Sequence, residues 1–206
     1  MTAAAFWDRV ARKYAARPVA NPDAYETTLA RTRAHLHPDD QVLEVGCGTA
    51  STAIRLAPHV ARITASDIAG EMVAIGREKV TAAGLDTVTC VQGALGDPAL
   101  GTGPYDVVLA FNLLHLTRDP GAEVRKVHAL LKPGGLFISK TGCLGDRHGF
   151  LKPVIGFMRL LGRAPYVNFL TVAGIEAQIR DAGFEIVETG TYPAKPPARF
   201  VVARKR

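Results

Sequence analysis

Two acidic side chains and two glycines are spaced as in sites that bind a nucleoside. Glu44 precedes Gly46 and Gly48, and Asp67 ends the next apolar segment. Glycine tolerates positive φ angles and lets a ligand touch the main chain. A carboxylate at Asp67 can accept hydrogen bonds from both hydroxyls of a ribose. The carboxylate of Glu44 repels a pyrophosphate and attracts an ammonium or a sulfonium, so the pattern predicts a positively charged nucleoside ligand.

The glycine turn does not fit two common phosphate-binding motifs. Ser51 stands where the dinucleotide fingerprint needs glycine or alanine, and no Gly-Lys-Ser/Thr sequence of a Walker loop follows. The run E-x-G-x-G-x-A from Glu44 to Ala50 resembles the D/E-x-G-x-G-x-G motif of the class I S-adenosylmethionine-dependent methyltransferases. The resemblance implies S-adenosyl-L-methionine as cofactor, with Glu44 near its amino-acid part and Asp67 on its ribose. The alternative role of Asp67 is an N-cap for the following helix.

The resemblance extends to the other parts of the cofactor. Ile68 and Met72 occupy positions that pack on the adenine in the family. Ala94 replaces the acidic residue that holds the adenine amino group, so we expect backbone groups or Asp97 to make that contact. The residues implied in cofactor binding are Glu44, Gly46, Cys47, Gly48, Asp67, Ile68, Met72, Ala94, Leu95, Phe111 and Asn112.

Three side chains are candidates for a catalytic role, and no triad is expected. His115 follows the fourth predicted strand and either accepts a proton from the substrate or is a hydrogen-bonded structural residue. The pattern F-W-D-x-x-A-x-x-Y, ending at Tyr14, resembles a segment of ubiquinone- and phospholipid-type methyltransferases in which the tyrosine closes over the cofactor. The alternative for Tyr14 is packing on a helix face. Lys140 ends the fifth predicted strand and is the third candidate.

Alternating strand and helix patterns must position these residues. Five strands that alternate with helices predict an α/β fold with a parallel, doubly wound, Rossmann-like sheet, and the resemblance implies seven strands with an antiparallel final one. Strands are predicted at 41–45, 61–66, 87–92, 105–111, 135–140, 184–192 and 199–205. Helices are predicted at 6–17, from Pro22 to about His37, and at 51–58, 70–83, 119–131, 150–162 and 171–182.

We expect a single methyltransferase domain over residues 1–206, with most of its basic charge outside the cofactor core. Residues 140–206 carry 11 basic and 5 acidic side chains, whereas residues 38–139 carry 8 and 11. An acidic substrate, an anionic membrane surface or only solvent can face such flanks. The parts are an N-terminal helical cap (1–37), a cofactor-binding core (38–140), a substrate cap insertion (141–170), and a C-terminal helix with a strand pair (171–206).

Composition excludes several other classes of protein. No apolar run is long enough to span a bilayer. The charged residues between Asp8 and Lys13 occupy the place of the apolar core of a signal peptide, so we expect a cytoplasmic protein. The cysteines and histidines lack the spacing of metal ligands, and we expect no metal site.

The segment Phe150 to Thr171 combines many apolar residues with a narrow basic stripe. Lys152, Arg159 and Arg163 share one side of a predicted helix. This pattern is typical both of a lid packed over an apolar pocket and of a helix that lies on a membrane surface, so the location is cytoplasmic with a possible peripheral membrane contact.

Taken together, these patterns predict direct in-line methyl transfer from S-adenosylmethionine to a small, partly apolar molecule. The sulfonium already activates the methyl group, so the protein mainly aligns the nucleophile and excludes water. One alternative is a phospholipid headgroup or quinone methyltransferase at the membrane surface. A further one is a nucleic-acid-binding or non-catalytic cofactor-binding protein, although no nucleic acid is expected as partner because stacking aromatics are not interleaved with the basic residues. The chain is expected to be a monomer or a homodimer.

Overall fold

Seven strands form one sheet in the part of the chain that the structure describes. The computed structural model describes residues 2–101, 103–146 and 148–206. The strands are β1 Gln41–Val45, β2 Arg62–Asp67, β3 Val88–Gln92, β4 Tyr105–Phe111, β5 Leu131–Gly142, β6 Phe184–Thr191 and β7 Ala198–Lys205. Their spatial order is β3-β2-β1-β4-β5-β7-β6.

Strand direction separates the sheet into two parts. β1 to β5 are mutually parallel, and β7 lies antiparallel between β5 and β6. The carboxyl ends of β1, β2, β4 and β5 therefore share one edge, here called the carboxyl edge. The predicted fold class, a mostly parallel seven-stranded sheet with an antiparallel final strand, is confirmed.

Seven α-helices surround the sheet within the described residues. They are α1 Ala3–Ala15, α2 Pro22–Arg33, α3 Ser51–Leu56, α4 Gly70–Ala82, α5 Pro120–Leu130, α6 Lys152–Leu160 and α7 Val172–Asp181. Two predicted helix starts are confirmed by their caps: Asn21 Oδ1 accepts the Ala24 N–H at 2.9 Å, and Thr171 Oγ1 accepts the Gly174 N–H at 2.9 Å. No described helix is both long and apolar enough to cross a membrane.

The core has two layers, one on each face of the sheet. On the first face α2, α3 and α4 pack against residues such as Val42, Leu109 and Ile138. On the second face α5 and α7 cover residues such as Val108 and Phe137. Glu44 and Lys140 lie two residues from Val42 and Ile138 on their strands, so the alternation of side chains places both on the first face.

Four predicted elements have clearly wrong boundaries. α1 spans Ala3–Ala15 instead of 6–17. β5 begins at Leu131 instead of residue 135, because Leu131 pairs with Tyr105 of β4 before the register shifts. α2 ends at Arg33 instead of about His37, where a turn forms and the His37 N–H donates to Asp40 Oδ2 at 2.8 Å. The helix predicted at 150–162 is a short 3₁₀ turn at 149–151 followed by α6, which ends at Leu160.

Candidate active site

The loop between β1 and α3 brings the main chain into unusual conformations at the carboxyl edge. Gly46, Gly48 and Ala50 all have positive φ angles, of 67°, 55° and 56°. Glycine adopts this region freely, whereas an alanine such as Ala50 pays about 1–2 kcal/mol. The Cys47 N–H donates to the Ser66 carbonyl at 2.9 Å, and the Gly48 N–H donates to Asp67 Oδ2 at 2.9 Å. A phosphate at Gly48 would therefore meet a carboxylate, which supports the exclusion of a dinucleotide.

Glu44 is a buried acid beside this loop. The residue is 2% exposed, and its Oε2 has no hydrogen-bond partner among the described residues. Burial, together with the negative charge of Asp67, raises the pKa of Glu44 to about 8 against the hydrogen bond from the Ala53 backbone. A buried oxygen without a partner is rare in proteins and fits a ligand that brings a donor.

Asp67 connects the end of β2 to the glycine loop. Its Oδ2 accepts the Gly48 N–H, and its Oδ1 accepts the Ala69 N–H at 2.9 Å. Each oxygen keeps one lone pair that can accept a ribose hydroxyl. Ala69 is the N-cap residue of α4, so the capping role considered for Asp67 does not hold. Burial raises the pKa of Asp67 against these hydrogen bonds.

Helix α1 covers the edge of the site and brings Tyr14 to it. Asp8 Oδ1 accepts the Glu71 N–H at 2.9 Å and so fixes α1 to the start of α4.

Tyr14 lies beside the glycine loop. A Cβ built on Gly48 would lie 3.8 Å from Tyr14 Cε1. Burial raises the pKa of Tyr14, and the charges of Asp67 and Glu44 raise it further. Tyr14 is nevertheless 52% exposed, and Trp7 lies edge-on against its ring. Its closing role stays a prediction.

The residues predicted near the adenine do not all face the cleft. Ile68 is exposed beside Asp67, but Met72 is 2% exposed and packs with Ala11 of α1. Leu95 is buried in the core of the second face. Contacts of Met72 and Leu95 with a cofactor stay predictions, and the structure gives both residues a packing role.

Asp97 lies close to the position of the missing acid. Ala94 is exposed, and its carbonyl accepts the Asp97 N–H at 2.9 Å. The side chain of Asp97 folds back so that a Cβ on Gly93 would lie 3.4 Å from its Oδ2. Asp97 Oδ1 accepts the Ala99 N–H, which leaves Oδ2 directed toward the end of β3.

The end of β4 holds Phe111, Asn112 and His115. Asn112 has a φ of 56°, which asparagine tolerates better than most residues, and its N–H donates to the Lys140 carbonyl at 2.7 Å. The His115 ring lies over Gly142 of β5. A Cβ built on Gly142 would lie 3.8 Å from the Cγ of His115. Burial lowers the pKa of His115 to about 4, and its Nδ1 is without a partner among the described residues. His115 is therefore neutral at pH 7 and a weak base.

Lys140 is a buried cation on the first face of the sheet. It pairs with Phe111 in the β4–β5 ladder and is 7% exposed. Its Nζ donates to Thr28 Oγ1 of α2 at 3.2 Å, and burial lowers its pKa. A lowered pKa favours the neutral amine, which can accept a proton.

Three residues at the site were missed by the sequence reading. Leu113 covers Gly46. Asp8 fixes α1 to the start of α4. The Lys79 Nζ donates to Thr49 Oγ1 at 2.8 Å and to Ser51 Oγ at 3.0 Å. All three contacts join residues that are far apart in the chain. The start of α4 after Asp67 was the only available signal, because its unpaired N–H groups need an acceptor.

Comparisons with known proteins decide the family. The family described as "Methyltransferase domain" matches residues 43–137. The ubiquinone biosynthesis O-methyltransferase of Xanthomonas axonopodis pv. citri (strain 306) is 33% identical over 152 residues, which cover 71% of this chain and 63% of that protein. This chain belongs to the class I S-adenosylmethionine-dependent methyltransferases. The family predicted from the glycine motif is thereby confirmed.

Solved structures agree on the fold of this methyltransferase. A putative methyltransferase from Bacillus halodurans C-125 superposes with a TM-score of 0.74 at 16% identity, covering 90% of this chain and 99% of that one. A geranyl diphosphate methyltransferase in complex with S-adenosylmethionine gives a TM-score of 0.73 at 11% identity, covering 87% and 85%. At such identities the likeness concerns the fold alone. The chain spans about 63% of the length of its curated relative, so the activity of that protein does not transfer by itself.

Proposed function

We propose that this methyltransferase binds S-adenosylmethionine at the carboxyl edge and transfers its methyl group in line to a small molecule with an apolar body. The single observation that carries the proposal is Glu44, whose buried Oε2 has no described partner and fits the ammonium of the cofactor, because that positive charge would lower the raised pKa of Glu44 and favour its carboxylate. Asp67 would accept the ribose hydroxyls, Ile68 would offer an apolar surface to the adenine, and Asp97 would accept its amino group. When bound, the cofactor supplies an electrophilic methyl carbon.

The chain itself would align the acceptor and keep water out. Tyr14, near the end of α1, lies beside Gly48 of the glycine loop, where it would cover the cofactor. Lys140 is buried and Phe111 beside it is half-buried, and the aromatic ring of Phe111 supports an acceptor with an apolar body on this face. Alignment and water exclusion are the main contributions that a protein makes to such a reaction.

A hydroxyl acceptor is supported by the name of the relative, which is an O-methyltransferase. With such an acceptor the bound cofactor would supply the methyl group, and a side chain of the protein would take the hydroxyl proton. Lys140 is the candidate that we test below, because burial lowers its pKa and so favours the neutral amine, which can accept a proton. The pKa of His115 near 4 and the raised pKa of Tyr14 make their neutral forms weak proton acceptors at pH 7.

A second candidate is the same chemistry on a quinone or phospholipid headgroup at a membrane surface. The apolar side chains of α6 other than Ile155 favour it, because they are exposed, whereas Ile155 lines the groove beside residues 166–169. It requires the chain to dock on a membrane, which is taken up below.

Calorimetric titration of S-adenosylmethionine tests the cofactor site. We expect Asp67→Ala to weaken binding by about 2 kcal/mol or more, because a charge-assisted contact is lost. Asp106→Ala is the matched control: Asp106 Oδ2 also accepts a backbone N–H, from Gln41 at 2.9 Å, but at the opposite edge of the sheet. Equal affinities for the wild type and Asp67→Ala would contradict the site. Melting curves of both variants exclude simple unfolding.

Lys140→Met tests the proposed base separately. With a soluble quinol as acceptor, we expect the turnover of Lys140→Met to fall and its affinity for S-adenosylmethionine to stay unchanged. The wild-type rate should rise with pH through the pKa of the lysine, and this rise should be absent in the variant. An unchanged rate and pH profile would exclude Lys140 as base.

A further inference from the structure

Helix α6 presents its apolar side to solvent, and its cations stay exposed beside a groove that the helix forms with residues 166–169. Phe150, Val154, Phe157 and Leu161 follow one another at helical spacing and are 72%, 54%, 62% and 52% exposed. Leu160 beside them is 83% exposed. No residue of α6 is buried. This set of five side chains is called the α6 apolar face.

The basic stripe of α6 lies on the opposite side of the helix. Lys152 and Arg159 are each offset by two residues from an apolar residue of the stripe, or about 200° around the axis, whereas Arg163 follows the end of the helix. Lys152 Nζ lies 5.5 Å from the ring centroid of Phe169, and Arg159 Cζ lies 5.2 Å from that of Tyr166. These rings border a groove of about 360 Å³ between α6 and residues 166–169.

Neighbouring apolar side chains that are this exposed indicate contact with another apolar surface. Monomeric proteins in water rarely expose contiguous apolar patches of more than a few hundred Å², and larger ones usually mark an interaction site. A lid closed over the site would bury these side chains, yet the helix leaves them facing away from its groove. The cover must therefore come from outside the described chain.

The positive charge around the α6 apolar face indicates what kind of partner covers it. Residues 148–170 contain Lys152, Arg159 and Arg163 and no acidic residue. Within the described chain, none of the three forms an ion pair with a carboxylate. Basic α1 adjoins this surface, because the Arg9 guanidinium donates to the Gly162 carbonyl. Two copies of so cationic a surface would repel one another, whereas an anionic surface would attract it.

We propose that the α6 apolar face docks on an anionic phospholipid membrane. The apolar side chains enter the boundary between headgroups and acyl chains, and the cations of α6 and α1 meet the lipid phosphates. Interfacial helices combine these two features, with the apolar face about 5–10 Å deep and each surface cation contributing. This docking does not depend on methyl transfer, so the two proposals can fail separately.

Vesicle co-sedimentation tests the docking. We expect the full chain to sediment with vesicles of equal parts phosphatidylcholine and phosphatidylglycerol, at least about ten-fold more than with phosphatidylcholine alone, and to be released by high salt. The double variant Phe157→Ser with Leu160→Ser should lose at least about ten-fold in bound fraction. Val187→Ser, which changes an exposed apolar residue of β6, should bind like the wild type.

A second pair of variants separates a membrane from a soluble anion. Lys152→Gln with Arg159→Gln should lose the preference for phosphatidylglycerol. Inorganic phosphate at the same ionic strength as sodium chloride should release the protein no better than the chloride does. Stronger release by phosphate would assign the cations to a soluble ligand and overturn the proposal.

Other covers of the α6 apolar face give different results. Light scattering that shows a dimer of the wild type and a monomer of the serine variant, without vesicle binding, would identify a second copy as the cover. Failure of the wild type to bind anionic vesicles at low salt overturns the docking in every case. The Asp67→Ala variant should bind vesicles as the wild type does, which keeps this result independent of the cofactor site.

Discussion

The glycine loop and helix α6 differ most clearly in the space around their glycines. A Cβ on Gly46 would lie 2.8 Å from Leu113 Cδ1, whereas a Cβ on Gly156 of α6 would meet no atom within 4 Å. The loop also holds a buried acid and an alanine with positive φ, and α6 holds exposed apolar side chains instead. Both regions lower the stability of the free protein, one by tight constraint and the other by exposure. Such costs are typical of surfaces that bind a ligand.

The largest expected effect concerns the glycine loop. Gly46→Ala should lower the free energy of unfolding by about 3 kcal/mol or more, because the left-handed φ and the contact with Leu113 act together. Gly134→Ala is the matched control: its φ is 77°, but nothing lies within 4 Å, so only the backbone cost of about 1–2 kcal/mol remains. Urea unfolding measures both. Equal losses would mean that Leu113 moves aside freely and that the loop is not tightly packed.

The second effect concerns the buried acid. Because the folded pKa of Glu44 is about 8 and its ordinary value is 4.5, its folded form holds a proton that the unfolded chain releases between these pH values. Its contribution to stability is therefore full below pH 4.5 and is lost as pH rises toward 8. Glu44→Gln should be more stable than the wild type by on the order of 3 kcal/mol at neutral pH, with a gain that shrinks toward acid pH.

Denaturant unfolding across this pH range checks the sign of the Glu44 effect. Asp106→Asn is the control with the opposite expectation. Burial alone would raise the pKa of Asp106, but the hydrogen bonds from Lys132 and the Gln41 N–H lower it. Removing that carboxylate should therefore destabilise the protein at neutral pH. A Glu44→Gln variant that is less stable than the wild type at pH 7 would show that the free protein stabilises the Glu44 carboxylate by more than the hydrogen bond from the Ala53 backbone.

The smallest expected effect concerns helix α6. Gly156→Ala should raise the free energy of unfolding by up to about 1 kcal/mol, because alanine is the better helix former and the added methyl group meets no neighbour. Vesicle binding should be unchanged. A loss of stability would mean that α6 packs closely against another part of the chain at this position, and the contrast between the two regions would then be smaller than we infer.

Local sequence patterns were sufficient to predict the glycine loop and the carboxyl groups beside it. The run from Glu44 to Gly48 sets strand, turn and helix within a few residues, and Asp67 follows at the end of the adjacent strand, so the paired carboxyls could be predicted together. The predicted strand β1 matches its observed bounds, and β2 is displaced by one residue. Here backbone preference, alternation and glycine content all indicate the same structure.

The remaining features depend on contacts between distant residues. No periodicity could reveal that Leu113 covers Gly46 or that Lys140 reaches Thr28. The amphipathic pattern of α6 was visible in the sequence, but periodicity gives the two sides of a helix and not which of them faces the protein. For the same reason Met72, predicted at the adenine, packs under α1.

The attachment of α2 to the sheet has a consequence for how the protein is made. Arg31 donates to both carboxylate oxygens of Glu188, and His35 Nε2 lies 2.7 Å from the same group. Arg31 and Glu188 are 157 residues apart, so a ribosome must synthesise nearly every strand before this bond can form. The parallel strands around the glycine loop, and the contact of α2 with α3 in which Arg55 pairs with Glu26, can form earlier, so the link from α2 to β6 is completed late in synthesis.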